Sequence, residues 1–439
     1  MMVTDMREMK DSGISWIGEI PTNWRITKFK YETAGYKAGP FGSALITEKL
    51  EDDGSILVYT PENVALMSDD TDNDQYLPES RRQEMSQFFV KEGDIIFPIV
   101  GSLGRSMKIT SNMKEGIINQ RLAKFHLQSE LLLEDYFLWL FSRSAFYETY
   151  IDLYRRGSII LNLTRAIVND MPIPIPPQTE QERIADFLDT KCTEIDALSE
   201  DIQSEINTLE AYKRSIIAEM VTKGLDKKAP MKDSGMPWIG EVPKHWLIEK
   251  VKYHLMRKET KNQSDKQVLS VYREYGVIPK DSRDDNHNVT SEDTSKYKYV
   301  KPGNLVINKM KAWQGSMGVS DYEGIVSPAY FIYHFTDSLI VPKFLHYLFR
   351  NCYKDEFRRI SGGIREGQWD LDPDEFANTL LLIPPVQEQK EIIEIIDKKT
   401  MEVEAIIAKK KEQLDVLSDY KKSFIYEYVT GKKEVPANG

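Results

Sequence analysis

The chain has 439 residues, 41% hydrophobic and 29% charged, with a net charge of −11 and two cysteines, Cys192 and Cys352. That length allows two or three domains with true cores, and two cysteines exclude a disulfide framework and suit a reducing cytoplasm. The acidic balance excludes a simple electrostatic nucleic-acid binder, and the apolar runs are too short for a bilayer span or, in MMVTDMREMKDSG, for a signal core.

In chain order, the first landmark is Met9 to Tyr31, MKDSGISWIGEIPTNWRITKFKY, with Trp16 expected as a packing anchor. Gly39-Pro40-Phe41-Gly42-Ser43 reads as a turn. Ile56 to Tyr59, Asp94 to Val100 and Leu122 to Leu127 read as strands, and Asp135 to Tyr154 as a helix. Then Ile175 to Thr222 reads as one long helix, on the order of 60–65 Å at 1.5 Å per residue. Its apolar stripe includes Ile184, Leu188, Ile195, Leu198, Ile202 and Leu209, in steps of three or four along one face. Pro176-Pro177 stops helix from spreading backward, and Thr179 with Glu182 spells a capping box.

After the short linker Lys223 to Pro230 the pattern begins again. Met231 to Tyr253 reads MKDSGMPWIGEVPKHWLIEKVKY, so the chain is two copies of one unit. Val268 to Tyr272, Leu305 to Ile307 and Tyr330 to Phe335 read as strands, with a helix near Pro342 to Phe357. Ile383 to Thr430 repeats the long helix, with seam residues Ile392, Ile396, Val403, Ile406, Leu414 and Leu417. Thr400 and Lys410 interrupt that stripe, and polar seam residues can fix register. The linker reaches at most about 25–30 Å. The second globular segment is therefore expected at the far end of the first helix, with the helices antiparallel and the end of the second near the first opening motif. The fold class expected is α+β: two similar domains separated by a pair of long antiparallel coiled-coil helices, an internal pseudo-two-fold repeat.

No common catalytic or metal-binding constellation appears, and no catalytic or metal residue is assigned. Asn286-His287-Asn288 reads as a solvated turn, and Gly101 to Arg105 lacks the third glycine of a phosphate loop. Basic residues instead cluster within the globular segments, including Arg81, Arg82, Arg105, Arg121, Lys124, Arg155, Arg156, Arg257, Lys298, Lys309, Lys311, Arg358, Arg359 and Arg365. Asn308 to Gln314 places Lys309, Lys311, Trp313 and Gln314 in one loop after a strand, and Lys and Gln can read base edges. A loop with Trp313 as a core plug is the competing reading. The DNA-contact candidates are Arg105, Arg121, Arg155, Arg156, Lys309, Lys311, Trp313, Gln314 and Arg365.

M-K-D-S-G-x-x-W-I-G-E-x-P-x-x-W, the Ile-Pro-Pro segments, the Glu-Gln pairs and the Val-Thr helix ends together resemble the DNA-specificity subunit of type I restriction–modification systems. The similarity covers essentially the whole repeated layout. It implies target-recognition domains over residues 1–174 and 225–382, spacer helices over 175–224 and 383–432, and a flexible tail over 433–439. It implies a non-catalytic subunit whose two domains read the halves of a bipartite, asymmetric site in double-stranded DNA. It further implies two methyltransferase subunits, docked by the long helices that also set the spacer, and two ATP-dependent restriction subunits as partners. S-adenosylmethionine, ATP and magnesium would then belong to those partners, with no cofactor bound by this chain. A coiled-coil scaffold joining two non-DNA ligand-binding domains is the alternative that a duplicated layout alone permits.

Overall fold

The computed structural model describes residues 7–41, 50–101, 103–141, 145–154, 163–261, 263, 265–272, 276–282, 293–363 and 369–436. It divides into two compact units, residues 1–202 with 412–439, and residues 203–411. Each unit holds one globular segment and a stretch of both long helices.

In unit one, strands Thr33–Ala38, Leu122–Leu127, Asp94–Pro98 and Met107–Lys108 form a four-stranded antiparallel sheet in that order. Helices Glu134–Phe141 and Ala145–Asp152 accompany it, where the sequence suggests one helix over 135–154. An aromatic core of Phe29, Phe97, Phe125, Phe137, Phe141 and Phe146 fills the space between sheet and helices. Ile56–Tyr59 belongs to a separate three-stranded sheet, paired in parallel with Gly116–Ile118. Unit two repeats the main sheet with Leu255–Arg257, Tyr330–Phe335, Leu305–Asn308 and Met317–Val319, in the same spatial order. Its expected single helix near Pro342 is two, Pro342–Cys352 and Lys354–Arg359, separated by the non-helical Tyr353 (φ −109°).

The opening motif explains itself atom by atom. Met9–Asp11 pairs with Glu19–Pro21, and Met231–Asp233 pairs with Glu241–Pro243. The Lys10 ammonium donates to the carbonyls of Thr22 and Trp24 at 2.8 and 2.7 Å, and Lys232 donates to that of Trp246 at 2.5 Å. The Asp11 and Asp233 carboxylates accept from the N–H of Gly13 and Gly235, each at 2.9 Å. Trp24 and Trp246 are fully buried, and their indole N–H groups donate to Glu180 and Glu388 at 3.0 and 3.2 Å. Strands Arg25–Lys28 and Leu247–Lys250 then pair with Pro172–Ile175 and Leu380–Ile383, the strands that lead into the long helices.

The first long helix runs Gln178–Lys223 and the second Val386–Val429. Thr179 thus lies inside the first turn, and the expected capping box is replaced by a glutamine. The buried Gln181 side chain donates to the carbonyls of Leu131 and Pro176 and accepts from the Leu133 N–H, at 2.7 to 2.9 Å. Gln389 makes the same three bonds to Leu339, Pro384 and Val341, at 2.7 to 2.8 Å. A buried amide matched on every side holds each helix root to its own domain.

Within each unit the two helix segments run antiparallel. In unit one Phe187 packs on Phe424 and Tyr428 with ring centroids 5.8 and 5.0 Å apart, and Lys421 meets Asp196 at 2.5 Å. In unit two Lys213 meets Glu404 at 3.2 Å, and Lys410 pairs with Glu205. Lys410 therefore carries a cross-helix ion pair at a seam position. The expected return of the second helix to the first opening motif also holds. Tyr426 donates its hydroxyl to the Trp16 carbonyl at 3.1 Å, and Lys432 donates to that of Glu19.

Two seam assignments are corrected. Leu198 and Ile406 are 50% and 46% exposed, whereas Ile206 and Ile407 are buried. Alternating steps of four and three from Leu188 pass through Cys192, Ile195, Ser199, Ile202, Ile206 and Leu209, skipping Leu198. The same alternation from Ile396 passes through Thr400, Val403, Ile407, Lys410, Leu414 and Leu417. Ile184, Leu188, Ile202, Ile392, Ile396 and Val403 are buried, and Ile195, Leu209, Leu414 and Leu417 half-buried. Beyond the second helix, Lys433, Glu434 and Pro436 are exposed, while Val435 is buried in the core of unit one and Arg183 donates to its carbonyl at 2.9 Å.

Candidate functional site

The shared sheet order gives each domain one equivalent feature. The strand Asp94–Pro98 leads by way of residues 99–101 and 103–106 to Met107–Lys108, and Leu305–Asn308 turns through 309–316 into Met317–Val319. The candidate residues outside these turns and inside the described part of the chain reduce to Arg121. Arg105 lies in the first turn and all of Lys309, Lys311, Trp313 and Gln314 in the second. Two sets of residues picked for their chemistry thus occupy one topological position.

In the first domain Arg105 is exposed, and its guanidinium donates to the Ala65 carbonyl at 2.8 Å. Arg121 is exposed just before Leu122, the residue paired with Pro98 at the same sheet end. The turn reaches it at Gly101, where φ is +87° and a Cβ would stand 3.0 Å from the Arg121 guanidinium. Glycine permits both the left-handed backbone and the close approach. Near the middle of the sheet Tyr36 carries the Arg165 guanidinium 5.6 Å from its ring centre, and burial pushes its hydroxyl up to about 12 against that cation.

In the second domain Lys309 pairs with Asp370 at 2.8 Å, and Lys311 is exposed. Trp313 is half-buried and donates its indole N–H to the Met310 carbonyl at 3.2 Å. It meets Trp369 with centroids 5.6 Å apart, and the Arg358 guanidinium lies 6.0 Å from both rings. Trp313 is outside the hydrophobic core clusters, so it is a surface aromatic and not a core plug. Gln314 is half-buried beside Gly315, whose φ of +84° closes the turn. The base of this hairpin is fixed by His346, whose Nδ1 accepts from the Val319 N–H at 3.2 Å. Burial, with Arg350 and Lys343 nearby, pushes the His346 imidazole down to about 3 and keeps it neutral.

Trp369 and the part played by Arg358 escape a reading by loops, because they arrive from a segment far along the chain. The wider basic inventory also shrinks. Arg81 pairs with Glu84, Arg82 with Glu79 and Glu115, Lys124 with Asp94, Lys298 with Glu259, and Arg359 with Glu356. Those cations, like Lys309, each face a neighbouring carboxylate. Arg155, Arg156, Arg365 and Asn286 to Asn288 lie outside the described residues. Among the described residues no helix is long and apolar enough to cross a membrane.

Two α+β domains, each with a cation-bearing hairpin turn and each fastened to a long helix, define a duplicated two-domain protein. The sequence profile of the type I restriction modification DNA specificity domain matches residues 42–208 and 255–416, and the chain belongs to that family. It is similar to the type I restriction enzyme MjaVIII specificity subunit of Methanocaldococcus jannaschii, 28% identical over 166 residues, 38% of this chain and 36% of that one. It is also similar to the EcoKI specificity subunit of Escherichia coli K12, 22% identical over 294 residues, 62% of this chain and 60% of that one. The chain thus spans between about a third and two thirds of the length of these curated relatives. A solved structure bearing on complex assembly and conformational transition of the type I R-M system shares the fold, with a TM-score of 0.64. It is 14% identical, and the match covers 94% of this chain and 99% of that one.

Proposed function

We propose that the chain is the non-catalytic, sequence-specific DNA-binding subunit of a type I restriction–modification complex working in the cytoplasm. The recognition domains are residues 1–174 and 225–382, each reading one half of a bipartite, asymmetric site in duplex DNA. The observation that carries this reading is the pair of equivalent turns, one with Arg105 and with Arg121 against its Gly101, the other with Lys309 to Gln314. The same scaffold presents different side chains at one position, as readers of two different half-sites would. Arg and Lys suit guanine edges, Gln suits adenine, and Trp313 offers a stacking face. The long helices set the spacer between half-sites. Methyltransferase and ATP-dependent restriction subunits, two of each, supply the chemistry with S-adenosylmethionine, ATP and magnesium.

Methylome sequencing of cells expressing the chain with its methyltransferase subunit tests this. A two-part, asymmetric adenine motif with an unspecified spacer is expected; a short continuous motif, or none, would overturn the reading. Purified chain alone should transfer no methyl group from labelled S-adenosylmethionine.

A further inference from the structure

In the first domain the strand Thr33–Ala38 is carried one step past its own end. The Gly39 N–H donates to the Leu122 carbonyl at 2.9 Å, which holds the chain against the start of Leu122–Leu127. A Cβ at Gly39 would stand 1.8 Å from the Asn119 carbonyl oxygen and 3.0 Å from the Gln120 nitrogen, so only glycine passes this close. Gly39 and Pro40 are both buried, and the proline ring fixes its own φ. The next side chain, Phe41, is 78% exposed, the most exposed large apolar side chain among the described residues. The backbone is thus fastened immediately before a ring that it leaves in water.

The segment under Gly39 is fixed as well. Asn119 is buried, its N–H donates to the Tyr59 carbonyl at 3.0 Å, and its Oδ1 accepts from the Arg121 N–H at 2.9 Å. Gln120 and Arg121 are exposed, and the Arg121 guanidinium lies against Gly101 of the turn that carries Arg105. Phe41 therefore shares the end of the sheet marked by Leu122 opposite Pro98 with Gln120, Arg121 and that turn. Guanidinium groups suit guanine edges and a carboxamide suits adenine, both in the major groove. A phenyl ring makes neither set of hydrogen bonds. The apolar group that base edges present in that groove is the thymine C5-methyl, whereas apolar wedges that part base steps enter from the minor groove.

Resting on the function proposed above, we infer that Phe41 is a specificity-determining residue of the first domain. Its ring lies against the C5-methyl of a thymine in the half-site that this domain reads, and it contributes nothing to the other half.

The test uses the full chain with its methyltransferase subunit and reads both the methylated sequence and the affinity for DNA. Phe41→Ala should let other base pairs be methylated at one A·T position of one half-site, with the other half and the spacer unchanged. Deoxyuridine in place of the thymidine at that position removes only the methyl group. It should weaken binding of the unmodified chain about fourfold, the worth of burying one CH2-sized group. The Phe41→Ala chain should bind the two duplexes alike, Phe41→Leu should keep the discrimination, and circular dichroism should match the unmodified chain throughout. A motif left unchanged by Phe41→Ala, or relaxed at a G·C pair, would overturn the inference. So would equal binding of both duplexes by the unmodified chain. A loss of affinity on Phe41→Ala that is the same for both duplexes would make the ring a wedge between base steps and overturn it too. An unmodified chain that yields no two-part motif would defeat the functional reading itself, and the inference with it.

Discussion

The joints between opening motif and helix differ sharply from the hairpin turns. The two joints repeat the same bonds: Trp24 to Glu180 and Trp246 to Glu388, Gln181 and Gln389 each with three backbone partners. The two turns share only their place in the sheet, one carrying Arg105 and the other Lys309 to Gln314. A joint must satisfy buried polar groups, and few side chains can do that, so duplication leaves it intact. A turn at the surface has no such constraint and can take whatever its ligand demands. Fastening is shared, and the turns proposed as readers are individual.

That contrast can be broken, and the joints should give the largest effects. Trp24→Ala or Trp246→Ala should each cost about 4 kcal/mol, from an emptied core site. Denaturant unfolding of either variant measures it, and a loss in one but not the other would end the equivalence of the two joints. Leu188→Ala should cost about 3 kcal/mol, and the exposed Leu198→Ala should change stability by less than about 0.5 kcal/mol; similar losses would restore Leu198 to the seam. Gln181→Leu strands the Leu133 N–H and two carbonyls, and should cost about 2 kcal/mol by the same measurement.

The last effect concerns pH and is read as a slope. His346 in the fold titrates near 3, below its ordinary 6.5, so the unfolded chain binds the extra proton between those values. Its contribution is complete above 6.5 and is lost as pH falls toward 3, with a limiting slope of about 1.4 kcal/mol per pH unit. His346→Asn should remove that component of acid sensitivity in urea titrations run across the window.

The repeat, the long helices and their antiparallel sense were legible because helical periodicity and a short linker constrain them directly. The seam was partly legible: choosing apolar residues selects Leu198, while the alternation of four and three selects Ser199, which has no apolar signature. The shared Glu-Gln pairs were visible, but their role was not, since the partners of Gln181 and Gln389 are backbone groups up to about 50 residues away. Lys309 to Gln314 was legible as one turn. Its stack on Trp369 was not, because nothing local to Trp313 signals a partner 56 positions along the chain.

The most direct test of divergent turns on a repeated scaffold is the methylated sequence produced with Lys311→Ala and Trp313→Ala together. Methylome sequencing should show one half of the bipartite site relaxed, with each lost base contact worth about 1–3 kcal/mol of discrimination, and the other half and the spacer unchanged. An unaltered motif, or equal loss at both halves, would contradict the account.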